Sequence, residues 1–102
     1  MAVYGATKAF LNYYCQALQV ELVGTGIEVQ ALCPGFTRTE FHEPMIKEGF
    51  DCERIPKEMW MTSQQVVAAS LAALGGSQVL VVPGEDNQGF ARSGVQQQLD
   101  LI

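Results

Sequence analysis

Ile27-Glu28-Val29-Gln30-Ala31-Leu32-Cys33-Pro34-Gly35 is the stretch from which the architecture follows. Ile27, Val29, Ala31 and Cys33 alternate with Glu28 and Gln30 until Leu32 breaks the pattern, and a period of two is that of a strand. Pro34 has no amide to give a ladder and Gly35 admits backbone angles closed to other residues, so the strand stops there. Gly24-Thr25-Gly26 is the tight connection that feeds it.

On the N-terminal side of this strand, Val3, Ala6, Phe10, Tyr13, Tyr14, Ala17, Leu18 and Leu22 recur at helical spacing, with no proline and no glycine after Gly5. The pattern predicts a helix from Val3 to about Leu22, ended by Gly24. Phe10, Leu11, Tyr13 and Tyr14 fall on several faces, so the helix is read as packing against more than one neighbour. On the C-terminal side, Thr62-Ser63-Gln64-Gln65 has the form of a capping box, Val67, Leu71 and Leu74 follow at helical spacing, and Gly75-Gly76 supplies the stop. Val79-Leu80-Val81-Val82, bounded by Ser77 and Pro83-Gly84, reads as a short buried strand. Strand, helix and strand predict a right-handed crossover joining two parallel strands. Glu85 to Ile102 is polar, with Gly89, Gly94 and three consecutive glutamines before an apolar end, and is read as a weak helix or a frayed tail without an assigned role.

Between these units, residues 40–61 carry mixed charge and are interrupted by Pro44, Gly49 and Pro56, as a loop with short helical pieces would be. Phe41, Met45, Ile46, Phe50, Met59 and Trp60 give this connector much apolar surface, which reads as a lid over a hydrophobic ligand, against the alternative of a loop docking its own side chains on the body. His42, the single histidine, has no acid or nucleophile beside it in sequence and is taken as a lid or surface residue.

Composition narrows the classes. A chain of 102 residues is one domain at most, and a hydrophobic fraction of 48% is that of a packed protein. Eleven acidic against six basic side chains give a net charge of −5 with no basic stripe, which argues against a nucleic-acid partner. Val66 to Leu74, the longest strongly apolar run, is far short of the ~20 residues that span a bilayer, and no basic segment followed by an apolar core opens the chain. The chain is accordingly read as cytoplasmic, with no membrane span. Cys15, Cys33 and Cys52 are dispersed and lack a histidine cluster, so neither a zinc site nor a disulfide framework is indicated.

Chemistry enters at Met1-Ala2-Val3-Tyr4-Gly5-Ala6-Thr7-Lys8-Ala9-Phe10. On a helix, Tyr4 and Lys8 lie one turn apart on one face. A free tyrosine titrates near ~10, and a neighbouring cation favours its phenolate, so the pair is a device for moving a proton on or off a hydroxyl or carbonyl oxygen. The same spacing is common by chance on helix surfaces; the second stretch, Ala31-Leu32-Cys33-Pro34-Gly35-Phe36-Thr37-Arg38-Thr39-Glu40-Phe41, decides the matter.

Tyr-x-Ala-Thr-Lys-Ala followed, after a helix and a strand, by Pro-Gly-x-x-x-Thr resembles the C-terminal half of a short-chain dehydrogenase/reductase. Within that family the wording, with Trp60-Met61-Thr62, is similar to a group related to long-chain 3-ketoacyl and 17-beta-hydroxysteroid reductases. The resemblance runs to about Gly84. It implies the C-terminal part of a Rossmann-like doubly wound parallel α/β sheet, with residues 1–39 as catalytic helix and nicotinamide loop, 40–61 as substrate lid, 62–84 as helix and last strand, and 85–102 as tail. It implies NAD or NADP as cofactor and a hydrophobic carbonyl or secondary alcohol as substrate. Tyr4 takes the place of the general acid/base. Lys8 takes the place of the residue that lowers the tyrosine's pKa and bonds the nicotinamide ribose; Pro34 and Gly35 shape the floor under the nicotinamide. Thr39 would bond its carboxamide through the side chain, or cap a helix before Glu40, and Thr37 is a backbone contact to the same group. The family's first helix of this segment also contributes to a subunit interface, which implies a homo-oligomer.

The family's Gly-rich phosphate turn, its active-site serine and its asparagine all precede the tyrosine and have no counterpart in this sequence. The chain therefore reads as a reductase whose first half is lost, with negligible turnover alone. The alternative is a non-catalytic interaction module that uses the first helix to dimerise. The choice between NAD and NADP rests with residues of that first half.

Overall fold

The computed structural model describes residues 1–38 and 54–102. Helix α1, Ala2–Glu21, occupies the predicted span and closes at Leu22, with Gly24 at a φ of +84° carrying the chain out of it. Strand β1, Ala31–Leu32, follows. The turn after it leads into β2, Thr37–Arg38. A short 3-10 turn, Lys57–Met59, precedes β3, Met61–Thr62, which runs directly into helix α2, Ser63–Ala72. Strand β4, Leu80–Val81, and helix α3, Glu85–Asp100, complete the described elements.

The predicted parallel pair is present. β1 lies beside β4 with Ala31 opposite Leu80 and Leu32 opposite Val81. The Ala31 and Cys33 amides donate to the carbonyls of Val79 and Val81 at 2.9 and 2.8 Å. The alternating pattern predicts a strand over 27–33, yet ladder pairing is confined to Ala31–Leu32. Gln19 is the reason: its side chain donates to the Ile27 carbonyl at 3.2 Å and accepts from the Val29 amide at 2.7 Å, so a helix side chain takes the place of a neighbouring strand.

A second parallel pair, β2 with β3, places Thr37 opposite Met61 and Arg38 opposite Thr62. No periodic signal announces it, because each strand is two residues long. α2 packs on both of these strands, and α1 packs on β1.

The capping box at α2 forms in full. The Gln65 amide donates to Thr62 Oγ1 at 3.1 Å and the Thr62 amide donates to Gln65 Oε1 at 2.9 Å, satisfying two groups the helix start would leave bare. Past the end of α2, the Gly75 amide donates to both oxygens of Glu28, which ties the helix exit to the start of the β1 segment. The polar C-terminal stretch is a helix of 16 residues, with Glu85 and Asp86 in its first turn, where carboxylates complement the exposed amides.

Among the described residues the core is small: Val66 of α2, Val81 of β4 and Pro83 are buried. α1 contains no buried residue; its half-buried positions, Asn12, Cys15, Ala17, Leu18 and Gln19, mark the side that faces β1. Among the described residues no helix is long and apolar enough to cross a membrane.

Candidate active site

α1 places Tyr4 and Lys8 as the spacing requires. Lys8 Nζ lies 5.5 Å from the centroid of the Tyr4 ring, so the ammonium stands over the ring face, where the aromatic quadrupole attracts it. Residues 1–11 are all exposed, Tyr4 at 60%, and the pair therefore meets solvent directly.

One helical stripe connects the pair to the end of β1. Lys8, Asn12 and Cys15 follow at i, i+4 and i+7, and the Cys33 thiol donates to Asn12 Oδ1 at 3.5 Å. Burial pushes the Cys33 thiol above its ordinary value, Cys15 adds to the rise, and Lys8 opposes it. The Asn12 contact sets Cys33, and with it the start of the Pro34-Gly35 turn, against α1 one helical turn beyond Lys8.

The turn itself is held at separate points. Cys33 is bonded to β4, and the Phe36 carbonyl accepts from the Met61 amide at 2.9 Å. Thr37 Oγ1 donates to the Gly35 carbonyl at 3.1 Å, closing the turn on itself. Because Phe36 supplies the acceptor in this parallel bridge, and the register sets Thr37 opposite Met61, the amide and carbonyl of Thr37 point away from β3. Among the described residues no protein group bonds either of them. The Phe36 ring lies 5.6 Å from that of Trp60, and the Arg38 guanidinium lies 5.6 Å from the Trp60 ring, so the C-terminal end of the segment read as a lid rests on the turn.

The structure thus brings Tyr4, Lys8, Pro34, Gly35 and Thr37 to one end of the β1–β4 pair. Thr39 lies outside the described residues, as do His42, Cys52 and the lid residues Phe41, Met45, Ile46 and Phe50. Two contributors carry no sequence signal. Asn12 is a polar residue inside an apolar helix pattern, and Asn87 sits in the stretch without an assigned role. Asn87 lies flat on Gly35, with its Cγ and Nδ2 2.6 Å from where a Cβ at Gly35 would stand.

The tyrosine–lysine couple on its helix and the Pro-Gly turn past the carboxyl end of a parallel strand sit in a small α/β fold consistent with part of a Rossmann-like sheet. Residues 1–48, just under half of the chain, match the family model described as short chain dehydrogenase. It is similar to an uncharacterized oxidoreductase of Myxococcus xanthus, 39% identical over 56 residues, covering 49% of this chain and 22% of the relative. It is also similar to a sulfoacetaldehyde reductase of Chromohalobacter salexigens, 43% identical over 49 residues, covering 48% of this chain and 19% of the relative. A second sulfoacetaldehyde reductase of that organism is 41% identical over 49 residues, with shares of 48% and 19%. The chain spans about a fifth of the length of these relatives. No solved structure matches.

Proposed function

We propose that this chain supplies the proton-transfer helix and the nicotinamide turn of an NAD(P)-dependent oxidoreductase acting on a hydrophobic carbonyl or secondary alcohol. The observation that carries the reading is the convergence of the Tyr4–Lys8 couple and the Pro34-Gly35-Phe36-Thr37 turn at one end of a parallel strand pair. The fit to a nicotinamide is one of donor and acceptor count: Thr37 offers one amide and one carbonyl turned away from the ladder, the complement of a carboxamide. When bound, a nicotinamide cofactor supplies or takes up a hydride.

In the reducing direction Tyr4 donates its hydroxyl proton to the substrate oxygen as negative charge develops there, and in the oxidising direction it takes that proton back. Lys8, its ammonium over the Tyr4 ring, supplies the positive charge of the couple and would bond the ribose next to the nicotinamide. Pro34 and Gly35 form the floor of the ring's site, and Thr39 adds a side-chain bond to the carboxamide. Trp60, docked on Phe36, gives the turn an apolar neighbour, which favours a hydrophobic substrate.

By itself the chain leaves Tyr4 and Lys8 in bulk water, which competes for every hydrogen bond the reaction needs, so the 102 residues alone have negligible turnover. The surface of α1 is the contact through which copies of the chain associate. A cytoplasmic setting, with its pool of reduced nicotinamide, suits this role.

The test is a graft. Residues 1–48 replace the matching segment of the Chromohalobacter sulfoacetaldehyde reductase, and oxidation of NADH and of NADPH is followed with sulfoacetaldehyde. Turnover is retained in the graft, absent for the ungrafted chain, and lowered by about 10²–10⁴-fold by Tyr4→Phe, the range of a lost general acid. A folded, cofactor-binding graft without turnover, or one indifferent to Tyr4→Phe, overturns the reading.

A further inference from the structure

α3 lies beyond the segment shared with the short-chain dehydrogenase family model, yet its first turn touches the turn on which the proposed site depends. Asn87 is half-buried there. Its Nδ2 donates to the Pro83 carbonyl at 3.0 Å and lies 3.8 Å from Met61 Sδ. The amide group lies over two glycines at once. A Cβ at Gly35 would stand 2.6 Å from Asn87 Cγ and Nδ2, and a Cβ at Gly84 would stand 3.3 Å from Asn87 Nδ2 and from Met61 Sδ. Gly35 does not adopt a left-handed backbone, so conformational freedom does not explain it there. What it provides is room, for which the absence of a Cβ is the requirement.

Among the contacts that hold the Pro34–Thr37 turn are the bond from Cys33 to β4, the bond from Met61 to Phe36, and the Asn87 amide on Gly35. The first two hold its ends, and the third sets how closely its middle approaches α3. We propose that Asn87 is a positioning residue, which seats the Pro34–Thr37 turn against the start of α3 and so fixes the direction in which the Thr37 amide and carbonyl face. The functional part of this inference rests on the reading of that turn as the nicotinamide contact. Truncating Asn87 removes the plate on which Gly35 sits, and the turn then opens at the Met61–Phe36 bond. Adding a methyl at Gly35 drives Asn87 away and opens the same bond. Doing both lets the new methyl take the space the amide has left.

The experiment is amide hydrogen exchange by NMR on the full chain, comparing Asn87→Ala, Gly35→Ala and the double variant. Each single substitution speeds exchange of the Met61 amide by about tenfold or more, while the amides of Val67 to Ala72 in α2 change little, as in a local opening. The double variant exchanges no faster at Met61 than Asn87→Ala alone. Additive effects of the two substitutions, an unchanged Met61 amide, or a uniform rise across α2 as well as Met61 each overturn the proposal, the last because it makes Asn87 a matter of overall stability only. Reduced nicotinamide mononucleotide, added at millimolar concentration, separates this proposal from the reading beneath it. It shifts the Thr37 amide resonance in the unsubstituted chain, and that shift shrinks in Asn87→Ala. The expected exchange pattern without any such shift supports Asn87 as the seat of the turn and counts against the nicotinamide reading. A shift equal in both chains overturns the role of Asn87 in presenting Thr37.

Discussion

Among the described residues, Cys33 is the one whose ionisation its surroundings shift. Burial disfavours its thiolate, the neighbouring Cys15 disfavours it further, and the Lys8 ammonium recovers only part of that loss. A thiol whose folded value lies above its unfolded value binds its proton longer in the native state than in the unfolded one. The stability associated with it is complete below the unfolded value of ~8.5 and declines as pH rises through the higher folded value. The urea midpoint of the chain is therefore expected to fall on the alkaline side of pH ~8.5, and Cys33→Ala is expected to flatten that decline. Mass spectrometry of iodoacetamide-treated chain gives a second measure: the rate at Cys33 rises at a more alkaline pH than that of a free thiol such as glutathione. Alkylation of Cys33 with the pH profile of the free thiol would remove the basis for both expectations. The same residue shows how the turn is anchored, because Cys33 joins β4 through its amide and α1 through its thiol.

At the scale of elements, α2 owes its start to a local code. Thr62 and Gln65 satisfy each other's amides, and Thr62→Ala removes an acceptor for one of them while leaving the packed Val66 side untouched. The expected cost is about 1 kcal/mol, read as a lower urea midpoint with unchanged slope; Thr62→Ser should recover most of it. An unaltered midpoint in Thr62→Ala would mean that α2 is held by its packing on β2 and β3 alone. That local character is why α2 and its cap were legible in the sequence, as was α1, whose apolar spacing runs unbroken for five turns. The β1–β4 pairing was legible too, since two β-branched or apolar runs flank a helix of crossover length. β1 is shorter in its ladder than its alternation predicts because Gln19 is ten residues from Val29 and nothing in the spacing says that its amide will reach across. The β2–β3 pair escapes notice for a related reason: two residues carry no period, and their meeting is set by the chain between them. The Tyr4–Lys8 couple and the Pro34-Gly35 turn could be read from motif alone. Asn87 could not, because its only signal is the absence of a side chain at Gly35, 52 positions earlier.

At the scale of the whole molecule, surface decides behaviour. The chain has an accessible surface of 8177 Å², whereas a compact monomer of 11.1 kDa has about 5,700 Å² by the usual scaling. Exposed apolar side chains stand on α1, where Phe10 and Tyr13 are 67% and 75% exposed and the Phe10 and Tyr14 rings stack with centroids 6.2 Å apart. An aromatic pair held parallel on a helix surface offers a neighbouring helix a large area at little further cost in side-chain entropy. A second copy of the chain would present the same pair, so a self-complementary contact about a two-fold axis would cover both faces at once. Sedimentation velocity at tens of micromolar is expected to show a dimer or larger species. Phe10→Glu with Tyr14→Glu shifts the population toward monomer, while the far-UV dichroism of α1 is retained because glutamate is a good helix former. A monomeric unsubstituted chain at 100 micromolar, with a sharp cooperative unfolding transition, would show that α1 needs no cover and would remove self-association from the proposed function. A dimer that survives both glutamates would move the interface elsewhere, with the stripe of Ala91, Val95 and Leu99 on α3 the next face to substitute.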